Sequence, residues 1–438
     1  MPSADAANVT PLPLRFVDTS LQRFANDRNE KNLKKQGTQM TMAAAIESRV
    51  TETTARAGLA TRVARVEIIR DLAAAESTWR AFEGPHAILT PFQRFDFLSI
   101  WQRHVGVACG LQPFIVVAYD AQRQPLLLLP LGVRRENGVQ VASFLGDKHA
   151  TFNMPVYRRD FIAGATVDDL EAVLHELRAA SAGVDTLALV RQPRHWQKAS
   201  NPMALLPTQT SVNACPLMPI DPAAAPTARI SNSFRRRLKS KERKLQGLPG
   251  YRYIRAQTES DIDRLLEAFF TIKPLRMALQ KLPDVFSEPG VEDFIRAACR
   301  TSLAEGGHAI DIHALECDEE VIAFYAGVAD GDRFSMMFNT YTLSGNAHYS
   351  PGLILMRNIV DHYAGLGYTA IDLGIGADEY KRLFCKSDEP IFDSYIGLTS
   401  RGKVAAAGLS ALGRLKRRVK QTPVLMNAAQ KLRGALQR

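Results

Sequence analysis

From Val63 onward, apolar residues recur at two spacings along the chain: alternating or continuous over five to eight positions, and every three to four over longer stretches. ARVEIIR (64–70) reads as a strand, and DLAAAESTWRAFE (71–83) and FDFLSIWQRHV (95–105) read as helices. PFIVVAYD (113–120) and QPLLLLPLGV (124–133) flank a short polar turn as a hairpin, and VQVASFLG (139–146) supplies a third strand. TVDDLEAVLHELRAASAG (166–183) sets Leu170, Val173, Leu174 and Leu177 at helical spacing behind a Thr/Asp start, and the strand VDTLALV (184–190) follows.

The second half repeats this order. YRYIRA (251–256) is a strand, ESDIDRLLEAFFTI (259–272) a helix behind Ser260 and Asp261, and VEDFIRAACRTSLAEGG (291–307) a helix ended by Gly306-Gly307. AIDIHALE (309–316) and EVIAFYAGVA (320–329) form a hairpin, followed by the strand FSMMFNTY (334–341), the helix SPGLILMRNIVDHYAGLG (350–367) and the strand TAIDLG (369–374). Matching elements lie about 180–200 residues apart, which predicts two copies of one α/β unit. Hairpins make neighbouring strands antiparallel and a strand–helix–strand crossover makes them parallel, so each unit should hold a mixed sheet with helices on its faces.

This pattern divides the 438 residues into an N-terminal extension (1–62), a first unit (63–192), a linker with a basic helix (193–250), a second unit (251–400) and a tail (401–438). The extension, rich in Ala, Thr, Asn and charge, is expected to be disordered apart from a short helix near 42–58, and Met40 or Met42 offers a downstream start. The linker holds one strand candidate, ACPLMPI (214–220). SFRRRLKSKERKLQG (233–247) reads either as a solvated connecting helix or as an anion-binding surface.

Composition excludes several classes. No apolar run reaches the ~18–20 residues that span a bilayer, and PLLLLPLGV (125–133) is a buried strand bounded by Pro and Arg. The five cysteines are scattered without a CxxC or Cys/His spacing, and no signal peptide is visible. They are expected to be reduced cytosolic thiols, with no metal set. The net charge of +10 is matched by the ten Lys and Arg of residues 401–438, which contain no Asp or Glu. The body is therefore close to neutral, which argues against a nucleic-acid-binding body.

One stretch carries candidate chemistry: HYSPGLILMRNIVDHYAGLGYTAIDLGIGADEYKRLF (348–384). Ser350 suits a helix N-cap, Pro351 the first helical position, and Gly352 has no Cβ to hold a ligand away. No acid stands in the first turn, which leaves the positive end of the helix dipole for an external anion. The equivalent place in the first unit has Asp168, Asp169 and Glu171 in the first turn, so the first unit reads as a structural partner. After the strand, Gly374 and Gly376 loosen the chain, and Tyr380 and Lys381 follow. Lys381 is either solvated or a point charge for phosphate, and Tyr380 either packs in the core or donates a proton to a leaving group.

These residues resemble the CelD/BcsL-type acetyltransferases, a FemAB-like branch of the GNAT superfamily built from two tandem acetyltransferase folds. TPFQRFDFLSIWQRHVG (90–106) and SFLGDKHATFNMPVY (143–157) resemble that family's first copy, and the resemblance spans roughly 64–400. It implies acyl transfer from acetyl-CoA or another acyl-CoA, without a metal, to an amine or hydroxyl of a sugar or lipid intermediate in exopolysaccharide, cellulose or envelope synthesis. Ser350, Pro351, Gly352 and Leu353 would meet the carrier's phosphates, with Gly376 and Lys381 also on its binding side. A backbone N–H near Asn339 and Thr340 would stabilise the oxyanion. Asp372 and Tyr380 fall on the family's aspartate and tyrosine, and with Asp378, which stands beside the family's acid position, they are the candidate catalytic residues. Ala377 departs from the acid many relatives carry there, so Asp372, Asp378 and His348 all stand as candidate bases.

Two other readings stay open. One is a FemAB-like transferase using aminoacyl-tRNA, gripped by the basic helix 233–247. The other is a non-catalytic assembly factor at a membrane. The tail (402–438), with Leu409, Leu412, Leu415, Val424, Leu425, Leu432 and Leu436 among cations, is either an anionic-membrane anchor or a basic segment that is flexible or docked on the body.

Overall fold

The computed structural model describes residues 61–179, 183–304, 306–376 and 378–422. Of the extension expected to be disordered (1–62), residues 1–60 with the short helix lie outside the described residues, as does the last part of the tail (423–438), whereas Thr61 and Arg62 are held by hydrogen bonds to Asp169.

Along the first half run β1 (Arg65–Ile69), α1 (Leu72–Phe82), α2 (Phe95–Trp101), β2 (Gln112–Tyr119), β3 (Pro125–Glu136), β4 (Val139–Phe144), α3 (Val167–Ala179) and β5 (Thr186–Pro193). β6 (Gln209–Thr210), β7 (Cys215–Pro219) and α4 (Asn232–Leu245) follow. The second half repeats the first as β8 (Arg252–Arg255), α5 (Glu259–Leu279), α6 (Val291–Arg300), β9 (Asp311–Glu316), β10 (Val321–Ala329), β11 (Arg333–Tyr341), α7 (Pro351–Gly365) and β12 (Ala370–Asp372). β13 (Ser387–Glu389), β14 (Ile391–Gly397) and α8 (Ser400–Gln421) complete the described chain.

The predicted mixed sheets are present. Hairpins pair β2–β3 and β9–β10 antiparallel, and the crossovers through α3 and α7 make β4–β5 and β11–β12 parallel. What the sequence did not predict is how the sheets are completed. The first sheet runs β1-β2-β3-β4-β5-β14-β6 and the second β8-β9-β10-β11-β12-β7-β13. Each half thus gives the strand that follows its repeat to the other half. β7 pairs β12 (Leu217 opposite Asp372), and β14 pairs β5 (Tyr395 opposite Ala188). Residues 193–250, expected as linker and basic helix, therefore supply strands to both sheets.

The halves also share a core. Phe97 of α2 meets Phe294 of α6 edge to face at 5.4 Å, a geometry that aromatic rings favour. α4 is not merely solvated: Phe234, Leu238 and Leu245 are buried, Arg235 bonds Asp361 of α7 at 2.6 and 2.8 Å, and Arg357 of α7 bonds Glu242 at 2.8 Å. α8 lies on the first sheet through its small residues Gly402, Ala406 and Gly413, with Thr186 donating to Gly402 O at 2.6 Å. The docked form of the tail thus holds as far as Gln421. No helix among the described residues is long and apolar enough to cross a membrane.

Candidate active site

β11 and β12 pair only over Arg333–Ser335 and Ala370–Asp372. Ala326 of β10 faces Phe338 while Gly327 faces Met336, so Met337 is an extra residue, a β-bulge that bends β11. Gly327 permits the bulge, because a Cβ there would lie 2.4 Å from Ser335 O. Beyond the bulge, β11 and the chain after β12 diverge. Gly374 makes that turn with φ 69°, and a Cβ on it would lie 2.8 Å from Met336 O. A gap opens between the two segments. Thr342 N donates to Ile322 O at 2.9 Å, so by the two-residue alternation of a strand the peptide groups of Asn339 and Tyr341 face away from β10, into the gap. Thr340, expected beside Asn339, turns its peptide to β10, and its buried hydroxyl has no partner among the described residues.

The N-terminus of α7 opens at this gap. Its first turn holds no acid, as the sequence predicts. Ser350 does not cap it. The residue is left-handed (φ 59°, ψ 50°), whereas a side-chain cap requires extended backbone. Its hydroxyl instead accepts a hydrogen bond from Lys241 Nζ of α4 at 2.7 Å, which brings a cation to the helix start. A Cβ on Gly352 would lie 3.6 Å from the Tyr341 ring and 3.7 Å from the Tyr325 hydroxyl, so this glycine leaves space beside two tyrosines. Pro351 is buried and Leu353 half-buried in the same turn. His348 is exposed, with Nδ1 against Gly345 O in the turn before the helix.

The segment after β12 closes the other side. Asn339 Nδ2 donates to the Tyr380 hydroxyl at 3.4 Å across the gap. Burial pushes the Tyr380 pKa well above the usual phenol range, so the hydroxyl keeps its proton. Lys381 does not project as an exposed point charge. It is buried, with Nζ donating to Gly374 O (3.3 Å) and Ile375 O (3.2 Å) and pairing with Asp378 (3.4 Å). It holds the loop that contains Gly376, whose φ of 125° favours glycine. Asp372 is fully buried. Arg333 Nε (2.9 Å), Gly374 N (3.1 Å) and the Ser335 hydroxyl donate to it. Arg333 also pairs with Glu389 at 2.6 Å and lies under the rings of Phe152 and Trp196 from the first half. Its partners occupy Asp372 as an anchor for the turn, which leaves it badly placed to take a proton in the gap.

Two lysines at the gap escaped sequence reading. Lys241 looked like one more charge of a basic helix. Lys273 was missed because Pro274 made the helix appear to stop at Ile272, yet α5 continues through the proline to Leu279. Lys273 Nζ donates to Asn339 O at 2.9 Å, and Arg276 lies 3.4 Å above the Tyr341 ring.

The matching place in the first half is filled by the protein itself. β4 and β5 pair over Val141–Ser143 and Thr186–Ala188, and beyond them Asn153 N donates to Arg191 O (3.0 Å) and Arg191 Nη1 to Ala150 O (2.9 Å). The α3 acid Asp169 accepts from Arg62 N (2.7 Å) and Thr166 N (3.0 Å).

Residues 232–382 match the family model of the acetyltransferase (GNAT) domain. The gap and α7 lie within that span, and the first half repeats its order of elements, so the fold is two tandem units of the GNAT type. The second unit is by this match an acetyltransferase-type domain. No curated protein sequence matches the chain. Among solved structures, a DUF2156 domain from Agrobacterium fabrum, the C-terminal part of a protein described as a lysylphosphatidylglycerol synthetase, is similar at 11% identity and TM-score 0.46. The match covers 79% of this chain and 96% of that one. FemX is similar at 9% identity and TM-score 0.48, over 75% of this chain and 96% of that one. A tandem GNAT protein from the clavulanic acid biosynthesis pathway is similar at 10% identity and TM-score 0.38, over 76% and 99%. At these values the likeness assigns no activity.

Proposed function

We propose that the chain transfers an acyl group from acetyl-CoA or another acyl-CoA to an amine or hydroxyl, with the second unit as the catalytic one. The observation that carries this is the gap between β11 and β12, which faces the acid-free start of α7 and is crossed by Tyr380. The carrier diphosphate would lie on Ser350, Pro351, Gly352 and Leu353, with Lys241 adding a positive charge. The peptide groups of Asn339 and Tyr341 would bind the thioester arm and stabilise the oxyanion. Tyr380 would protonate the departing thiolate, while Asp372, Gly376, Asp378 and Lys381 hold the loop that carries it. The thioester is already activated, so orientation supplies much of the catalysis.

The CelD/BcsL-like motifs support an acceptor among the sugar or lipid intermediates of exopolysaccharide, cellulose or envelope synthesis. Work at the cytoplasmic face of an anionic membrane fits the acid-free segment 402–438. Because α8 is docked, that attachment is tested with a chain ending at Thr422. Loss of vesicle binding supports it, and unchanged binding removes 423–438 from the anchor.

One observation favours the aminoacyl-tRNA reading: Arg236, Arg237, Lys239, Arg243 and Lys244 are exposed on α4. Calorimetry separates the two. Acetyl-CoA binding that weakens in Lys241→Ala and Gly352→Asp supports acyl-CoA. Absent acyl-CoA binding together with tight tRNA binding supports the other.

A further inference from the structure

We propose that Lys273 is the base that takes the proton from the acyl acceptor, because its Nζ stands 2.9 Å from Asn339 O at the gap where a thioester would lie. This rests on the reading of the gap as an acyl-CoA site. Asn339 O faces the gap, and the same residue's amide meets the Tyr380 hydroxyl. Lys273 and Tyr380 thus contact one residue from two sides, α5 on one and the segment after β12 on the other.

The groups around Lys273 enlarge its neutral fraction at neutral pH. Its hydrogen bond goes to an uncharged carbonyl, and the Phe286 ring lies 5.6 Å from Nζ. Burial, and then Arg276 on the same helix, disfavour the ammonium form. Asp284 from the segment after α5 and Asp378 from the segment after β12 oppose them only in part, and the pKa falls to about 8. The other candidate bases are worse placed: Asp372 is buried against Arg333, Asp378 pairs with Lys381, and His348 is exposed in the turn before α7.

The step balances. Neutral Nζ accepts the acceptor's N–H or O–H proton as the acceptor heteroatom bonds the thioester carbonyl carbon. The C–S bond breaks, and the thiolate takes the Tyr380 proton. The Lys273 ammonium then releases its proton to water, and the Tyr380 phenolate recovers one. The sum is acyl thioester plus acceptor giving acylated acceptor plus free thiol.

The test is competitive labelling of the full chain with trace acetic anhydride between pH 6 and 10, read by mass spectrometry with and without saturating CoA. Lys273 is expected to reach half-reactivity about two pH units below the ordinary lysine value of about 10.4. Its labelling is expected to slow about tenfold with CoA. Alongside, Lys273→Met and Lys273→Arg are expected to bind acetyl-CoA calorimetrically within about twofold of the parent and to release thiol about 100-fold more slowly. Arginine keeps a donor for Asn339 O but does not deprotonate, so full thiol release by Lys273→Arg would reduce Lys273 to a tether and overturn the inference. Half-reactivity at the ordinary lysine value, or no protection by bound CoA, would overturn it too. A parent chain that binds no acyl-CoA would instead overturn the proposed function.

Discussion

Asn339 and Tyr380 meet across the gap where β11 and β12 separate, the amide donating to the hydroxyl at 3.4 Å. They are 41 residues apart in the chain and belong to segments that pair only up to Ser335 and Asp372. The contact bridges two diverging strands and, under the proposed acyl transfer, would hold a protonated phenol where the leaving group emerges.

Tyr380→Phe removes that proton and little else, since the ring keeps its packing. Thiol release from acetyl-CoA is expected to slow by about 10²-fold, within the usual contribution of a general acid. Calorimetric affinity for acetyl-CoA should stay close to the parent's. An unchanged rate would remove Tyr380 from the chemistry.

Gly352 offers a substitution that separates binding from stability. Its Cβ has room, with the nearest atoms at 3.6 and 3.7 Å. An aspartate in the first turn favours the helix dipole by about 0.3–1 kcal/mol while repelling phosphate. Gly352→Asp is therefore expected to unfold at an equal or higher temperature and to bind acetyl-CoA at least tenfold more weakly. Parent-like affinity would move the diphosphate away from α7.

The strand exchange predicts that neither half is stable alone. A fragment covering 251–400 lacks β7 beside β12, and one covering 63–192 lacks β14 beside β5. Each would expose an unpaired strand edge in its sheet. Urea titration followed by circular dichroism should show no cooperative transition for either fragment. Fragments 61–250 and 251–422 produced together should restore one. A cooperative transition in a lone half would contradict the dependence.

Stability should fall as the solution is acidified below neutrality. His313 is buried between the hydroxyls of Tyr253 and Tyr363 at 2.9 and 3.0 Å, and burial pushes its pKa down to about 3. Burial also lowers His149, bonded to Trp101, to about 4. An unfolded histidine titrates near about 6.5, so below that pH the unfolded chain binds more protons. The contribution is complete above the unfolded value and is lost as pH falls from about 6.5 towards the folded values. The melting temperature should drop between pH 7 and 4, and His313→Gln should make the drop shallower. An equally steep drop in the variant would mean that His313 does not bind protons in this way.

Hydrophobic spacing alone determined the two repeated units, their hairpins and crossovers, and the acid-free helix start at Pro351, because these depend on residues within one turn or one strand. The candidate helix start and the loosened chain after Asp372 were legible for the same reason, from Ser-Pro-Gly and from Gly374 and Gly376, whereas the gap between the strands follows from the bulge at Met337. Three features depended on the tertiary structure. Which sheet β7 and β14 join is decided by edges in the opposite half, and nothing within CPLMP or IFDSYIG encodes that partner. Whether Asp372 and Lys381 face a ligand or the interior is decided by Arg333 and by the carbonyls of Gly374 and Ile375, which the fold brings to them. Lys241 and Lys273 reach the gap only because α4 packs on α7 and α5 runs on past Pro274, so their charges acquire meaning from neighbours roughly 66 to 109 positions away.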